Sequence, residues 1–171
     1  METKMAKVVY KFGDDISTDI IYPGRFMATV LPSETPQYAF ADNKDLNSKL
    51  IAGQIPKGSI IIAGKNFGCG SSREQAVSTI KGHELIIIAK NFARIFLQNS
   101  VNLGLNTITC PDIEADIDDE IEILPNKVVN KTNGKEFEVI PHPPARQAII
   151  DAGGLINFTR KKLLEKAQPL S

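Results

Sequence analysis

The sequence predicts an α/β domain with a mixed sheet, and three observations carry that prediction. Residues 59–110 read strand, helix, strand, helix, strand, the order of βαβ units with parallel strands. Within residues 112–140, the apolar–polar alternation of Glu120–Leu124 and an Asn133-Gly134 turn point to antiparallel hairpins. The chain has 171 residues, 42% of them hydrophobic, enough for one domain over 1–171 with a real interior.

Each element has its own signal. "KVVYKF", residues 7–12, alternates as a strand does and is broken by the turn formers of "GDDISTD". "IIYPGRFMATVLPSETP" carries three prolines and a glycine, so a long loop is expected. Within it, residues 22–38 are expected to be mobile in the isolated chain. Residues 37–54 have mixed helical signals ending at Gly53. A turn at 56–58 precedes a short buried strand at 59–63. A helix is expected over 72–81, stopped by Gly82, followed by a second buried strand, "ELIIIAK". "NFARIFLQNSVNLG" spaces Phe92, Ile95, Phe96 and Leu103 as the apolar face of a helix that Gly104 stops. "LNTITC" is a third strand, ended by Pro111. The acidic residues of the hairpin region read as a solvated face. A last helix, residues 145–152, ends at Gly153-Gly154, and "LINFTRKKLLEKAQ" adds a further helical segment.

Composition excludes several functions. Twenty basic and twenty acidic residues give no net charge, so neither nucleic acid nor an anionic membrane is indicated. The N-terminal stretch has no long apolar run and reads as lacking a signal peptide, and the longest apolar run, residues 85–89, is too short to cross a bilayer. A cytoplasmic location is expected. The two cysteines, Cys69 and Cys110, could form a disulfide or part of a metal site but cannot hold a whole iron–sulfur cluster. Two reduced thiols are the favoured reading.

The segment "NFGCGSSREQA", residues 66–76, concentrates the chemistry. Glycines before a helix start expose backbone N–H groups as an anion-binding concavity. Arg73 adds a permanent planar charge suited to a carboxylate or phosphate. Three common motifs fail here. Cys69 occupies the second glycine position of a Walker loop, Arg73 the last glycine of a dinucleotide fingerprint, and no G-x-S-x-G surrounds Ser71 or Ser72. The serines also have a structural explanation. Ser71 with Glu74, or Ser72 with Gln75, makes a capping box, and both cannot cap one helix. Arg73 could equally form a surface ion pair. His83 reads as a surface turn residue and His142 as part of a proline-rich turn.

"NFGCGSSREQA", the later "IIIAKNFARIFLQNSVNLGL" and the early "DDISTDIIYPGRF" together resemble the small-subunit family of 3-isopropylmalate dehydratase. The same motifs mark the C-terminal swivel domain of aconitase and the homoaconitase small subunit. The resemblance spans about residues 7–160. It implies a swivel domain whose mixed strands curl toward a barrel flanked by helices. It implies a hydro-lyase that interconverts 2-isopropylmalate and 3-isopropylmalate in leucine synthesis. This chain would carry no metal. A [4Fe–4S] cluster would sit on a large partner subunit, in a heterodimer or heterotetramer.

Carried over residue by residue, Ser71 matches the catalytic serine that takes a proton from carbon. Ser72 and Arg73 match positions that hold substrate carboxylate, and Asp19 matches a supporting acidic residue. Gln75 stands where the motif often has histidine, and its amide can still hydrogen-bond. The loop Phe26-Met27-Ala28-Thr29 matches the part that reads the substrate's variable group. Ala28 stands where homoaconitase small subunits carry an arginine for an extra carboxylate. A small apolar residue suits an isopropyl group, although Arg25 is close enough in sequence to reach in. The small subunit of a 2,3-dimethylmalate dehydratase or of a homoaconitase, and a non-catalytic anion-binding module, are the alternatives.

Overall fold

The computed structural model describes residues 3–168. Seven strands form one mixed sheet: β1 (Lys4–Lys11), β2 (Ile60–Ala63), β3 (Ile86–Ala89), β4 (Thr107–Thr109), β5 (Glu120–Ile123), β6 (Lys127–Asn130) and β7 (Glu136–Glu138). Their spatial order is β4-β3-β2-β1-β5-β6-β7. The half containing β1 to β4 is parallel, and β5 to β7 are antiparallel to their neighbours.

The sheet curls until its two ends meet. Ile140 N–H donates to the Thr109 carbonyl at 2.9 Å, forming an antiparallel bridge just beyond β7. Beside it, the Cys110 thiol donates to the Glu138 carbonyl at 3.3 Å. The result is a half-barrel, as the resemblance implied.

The strand residues explain why β2 and β3 read as unbroken isoleucine runs. Ile60, Ile62, Ile86 and Ile88 point into the barrel with Val8, Ile121, Ile123 and Val128. Ile61, Ala63, Ile87 and Ala89 point outward, onto helices. Both faces are buried, so no polar position alternates with the apolar ones. Each buried isoleucine contributes about 1.5–3 kcal/mol of transfer free energy. The outer layer is α2 (Lys44–Ile51), α3 (Glu74–Gly82) and α4 (Arg94–Leu103). These bury Leu46 and Leu50, Ala76, Val77 and Ile80, and Phe96 against the sheet. Next, α5 (Pro144–Asp151) packs on α4, and α6 (Leu155–Ala167) follows with no residue buried. No helix among the described residues is long and apolar enough to cross a membrane.

Several local expectations change. Helix α3 starts at Glu74 rather than residue 72, and its N-cap is Arg73, with no side-chain cap. Neither serine caps it. Gly82 lies within that helix, and the chain turns instead at Glu84, whose φ is 52°. His83 is not a free surface residue: its Nε2 meets the Pro36 carbonyl at 2.8 Å. Ile95 is 51% exposed rather than part of the core. The acidic hairpin region is a solvated face as expected, with exposed pairs of Asp116 on Lys11, Glu114 on Lys135 and Glu136 on Lys127.

The long loop contains a short helix, α1 (Thr18–Ile21), and two 3-10 turns, Gly24–Phe26 and Thr35–Tyr38. It is braced from within. The Tyr22 hydroxyl lies 3.0 Å from both the Phe26 and Thr29 carbonyls. Phe26 stacks on Tyr38 with ring centroids 4.0 Å apart. Between these braces, Met27, Val30 and Leu31 remain exposed.

Both cysteines are free. Burial pushes the Cys110 thiol up to about 11, and nearby Asp112 adds to the effect.

Candidate active site

The site forms where the segments leaving β1, β2 and β3 lie side by side, at the carboxyl ends of the parallel strands. The first two segments interlock. Gly64 N–H donates to the Gly13 carbonyl at 3.0 Å, and Asp15 N–H to the Lys65 carbonyl at 2.8 Å. Asp14 accepts from Lys65 N–H at 2.7 Å. Further along, Gly68 N–H donates to the Ile16 carbonyl at 2.7 Å and Thr18 N–H to the Cys69 carbonyl at 2.8 Å. The third segment joins through Ala93 N–H, which donates to the Phe67 carbonyl at 2.9 Å.

Gly68 explains the close packing of this turn. Its φ is +85°, and a Cβ there would stand 2.2 Å from Cγ of Phe96. Only glycine fits both the backbone angle and the space. Phe96 belongs to α4, so this contact sets the distance between the glycine turn and that helix.

Past Gly70 the chain runs through Ser71 and Ser72 to Arg73. These residues form one wall of an open groove of about 460 Å³, with Thr18 beside them. The first turns of α4 form the other wall, through Ala93, Arg94, Ile95, Gln98 and Asn99. The N-terminal ends of α3 and α4 therefore border one groove, and neither has a side-chain cap. Their first N–H groups and the positive ends of the helix dipoles favour an anion there. Ser71 is exposed, and among the described residues its hydroxyl has no hydrogen-bond partner. That oxygen is available to a ligand.

Arg73 is held rather than free. Its Nη1 donates to Asp19 Oδ1 at 2.8 Å and to the Tyr22 carbonyl at 3.1 Å. Gly24 N–H donates to the same Asp19 oxygen at 2.8 Å. The Asp19 carboxyl is thereby kept below the usual carboxylate range, chiefly by the Arg73 hydrogen bond and then by Gly24. Asp19 thus acts on Arg73. Because the folded-state pKa is depressed, the pair is complete above the unfolded value and is lost as pH falls through the folded one. Arg73 therefore keeps its orientation across neutral pH. Carboxyl NMR should give Asp19 a titration midpoint below about 3.8, rising toward that value in Arg73→Ala. An Asp19 midpoint unmoved by the substitution would contradict this arrangement.

The remaining predicted residues lie apart from the groove wall. Ala28 is exposed on the braced loop, and Thr29 offers its carbonyl to Tyr22. Neither lines the groove with Ser71. The loop is tied to the site by Gln75, whose Nε2 donates to the Met27 carbonyl at 3.3 Å. Arg25 does not reach in. Its two terminal nitrogens grip Asp42 at 2.6 and 3.2 Å, and its guanidinium lies over the Phe26 ring at 4.5 Å. Sequence reasoning missed Thr18, Arg94, Gln98 and Asn99. Only the start of the "NFARIF" helix hinted at the last three.

No group of three or more His, Cys, Asp or Glu residues among those described could hold an ion. Cys110 is buried at the barrel seam and Cys69 faces Ser17 in the glycine turn.

The model of the aconitase C-terminal domain matches residues 15–113, which include the glycine–serine turn and both groove helices. The chain belongs to the aconitase C-terminal domain family. Its curated relatives include 3-isopropylmalate dehydratase small subunits. The one from Methanosarcina mazei is 39% identical over 162 residues, covering 92% of this chain and 97% of that protein. The one from Thermodesulfovibrio yellowstonii is 42% identical, covering 94% and 96%. The crystal structure of 3-isopropylmalate dehydratase from Methanocaldococcus jannaschii superposes with a TM-score of 0.86 at 35% identity, covering 97% of this chain and 98% of that one. Family membership thus extends over nearly the whole chain and fits the half-barrel described above.

Proposed function

We propose that this chain is the small subunit of a 3-isopropylmalate dehydratase and contributes Ser71 as the base. The observation that carries the reading is the exposed Ser71 hydroxyl in a groove shared with Arg73 and two uncapped helix N-termini. Dehydration removes a proton from one carbon and hydroxide from its neighbour, leaving a carbon–carbon double bond. Rehydration with the opposite placement of hydroxide and proton gives the isomer.

Ser71 Oγ takes the proton from carbon and later returns it. A serine alkoxide is a strong base that forms with difficulty, so it needs stabilising charge. The guanidinium of Arg73 and the N–H groups at the α3 terminus supply it. Ser72 and Arg73 hold substrate carboxylate, and Asp19 fixes the guanidinium for that task. A [4Fe–4S] cluster on the large subunit would supply the Lewis acid that eases departure of hydroxide. The groove is open, as half of a site would be, and residues 1–171 act as one swivel-type domain in the cytoplasm. The apolar character of Met27 and Ala28, with Arg25 bound by Asp42, favours an isopropyl substituent over a third carboxylate.

The test combines the chain with its cluster-loaded large subunit. We expect turnover of isopropylmalate by the pair, none by this chain alone, and at least about a hundredfold lower kcat/KM for homoaconitate, because an unpaired buried carboxylate costs several kcal/mol. Activity of the isolated chain, or efficient homoaconitate turnover, would refute the assignment.

A further inference from the structure

We propose that Thr18 is a positioning residue for the reaction, a clamp that fixes the backbone carrying Ser71. The inference rests on the reading of Ser71 as the base. Thr18 is buried, with 2% of its surface exposed, yet it lines the groove. It grips the glycine turn at two points. Its N–H donates to the Cys69 carbonyl at 2.8 Å, and its hydroxyl donates to the Ser71 carbonyl at 2.8 Å. Between those carbonyls lies Gly70, whose φ of +93° is a conformation that glycine adopts readily and that no side chain of its own holds in place. Bridging across it fixes the peptide that follows Ser71, and with it the direction of the Ser71 side chain.

The neighbours leave the Thr18 hydroxyl free for this work. Ser17 already caps α1, accepting from Ile20 N–H at 3.2 Å. Asp19 holds Arg73. Three consecutive residues thus have three separate duties: Ser17 starts the helix, Thr18 fixes the base and Asp19 fixes the cation. Thr18 touches no reacting atom and acts only through Ser71. A misplacement of about 1 Å at a reacting group can cost on the order of a hundredfold in rate.

Thr18→Val keeps the shape and removes the donor, while Thr18→Ser keeps the donor. In the assembled enzyme with isopropylmalate, Thr18→Val should lower kcat about 10–100-fold with KM within about threefold, and Thr18→Ser should stay within about threefold of wild type. In the free chain, amide exchange at residues 70–73 should quicken in Thr18→Val and not in Thr18→Ser. If Thr18→Val fails to fold, Thr18→Ala replaces it, with the same expected contrast to Thr18→Ser. Wild-type kcat in the hydroxyl-less variant, or equal impairment of the valine and serine variants, would overturn the clamp. Ser71→Ala separates the two failures. If it is inactive while Thr18→Val is normal, only the clamp falls. If it turns over normally, the reading of Ser71 falls, and the clamp falls with it.

Discussion

Replacing Ser71 with alanine in the assembled enzyme should lower kcat about a thousandfold, within the range expected for loss of a general base. KM should change little, because on the proposed reading the hydroxyl acts chiefly in the transition state while Ser72 and Arg73 hold the carboxylate. Thermal stability should barely move. Ser71 is exposed, its hydroxyl bonds to nothing among the described residues, and α3 is not capped by it. This separates the catalytic reading from a capping one. A capping serine would cost about 1 kcal/mol of stability on removal and leave chemistry intact. Steady-state kinetics and a melting curve on the same variant decide between them. A destabilised variant with normal turnover would eliminate Ser71 as the base.

The second large effect is structural. Gly68→Ala should destabilise the chain by about 3 kcal/mol, combining strain at a left-handed φ with overpacking. The added methyl would lie 2.2 Å from the Phe96 ring, so the turn and α4 must separate. For a chain of this size the melting temperature should fall by roughly 6–12 °C. Turnover in the assembled enzyme should fall as well, since the same contact sets the spacing of the two groove walls. Calorimetry of the free chain checks the first effect, and an unchanged melting temperature would show that the turn yields more easily than its packing suggests.

Much of this architecture was legible in local pattern. The isoleucine runs of β2 and β3 announce strands covered on both faces, and Gly104 ends α4 at φ +76° as its position predicts. Helix α3 starts two residues later than its sequence predicts, because S-x-x-E and S-x-x-Q both satisfy a capping pattern. Neither spacing reveals that Arg73 stays extended and that the Ser71 carbonyl is bound by Thr18. Ile95 fits an apolar helical face, yet that part of α4 borders an open groove. The barrel seam between Thr109 and Ile140 is a long-range contact that no periodicity encodes. The same holds for the Arg25–Asp42 pair, which turns an apparently available cation away from the site. At the site, the glycine–serine–arginine run was visible, whereas Thr18 hid among turn formers.

The anchoring of the long loop, whose Thr35 end is held by Ser78 and Thr79 while Met27, Val30 and Leu31 stay exposed, has an evolutionary consequence. Tyr22, Phe26 and Tyr38 hold it together without help from Ser71, and Gln75 touches only its main chain at Met27. Side chains at its exposed tip can change without disturbing the groove around Ser71. If the proposed reading holds, a few changes in that segment could alter the preferred acid while leaving Ser71 and its surroundings unchanged.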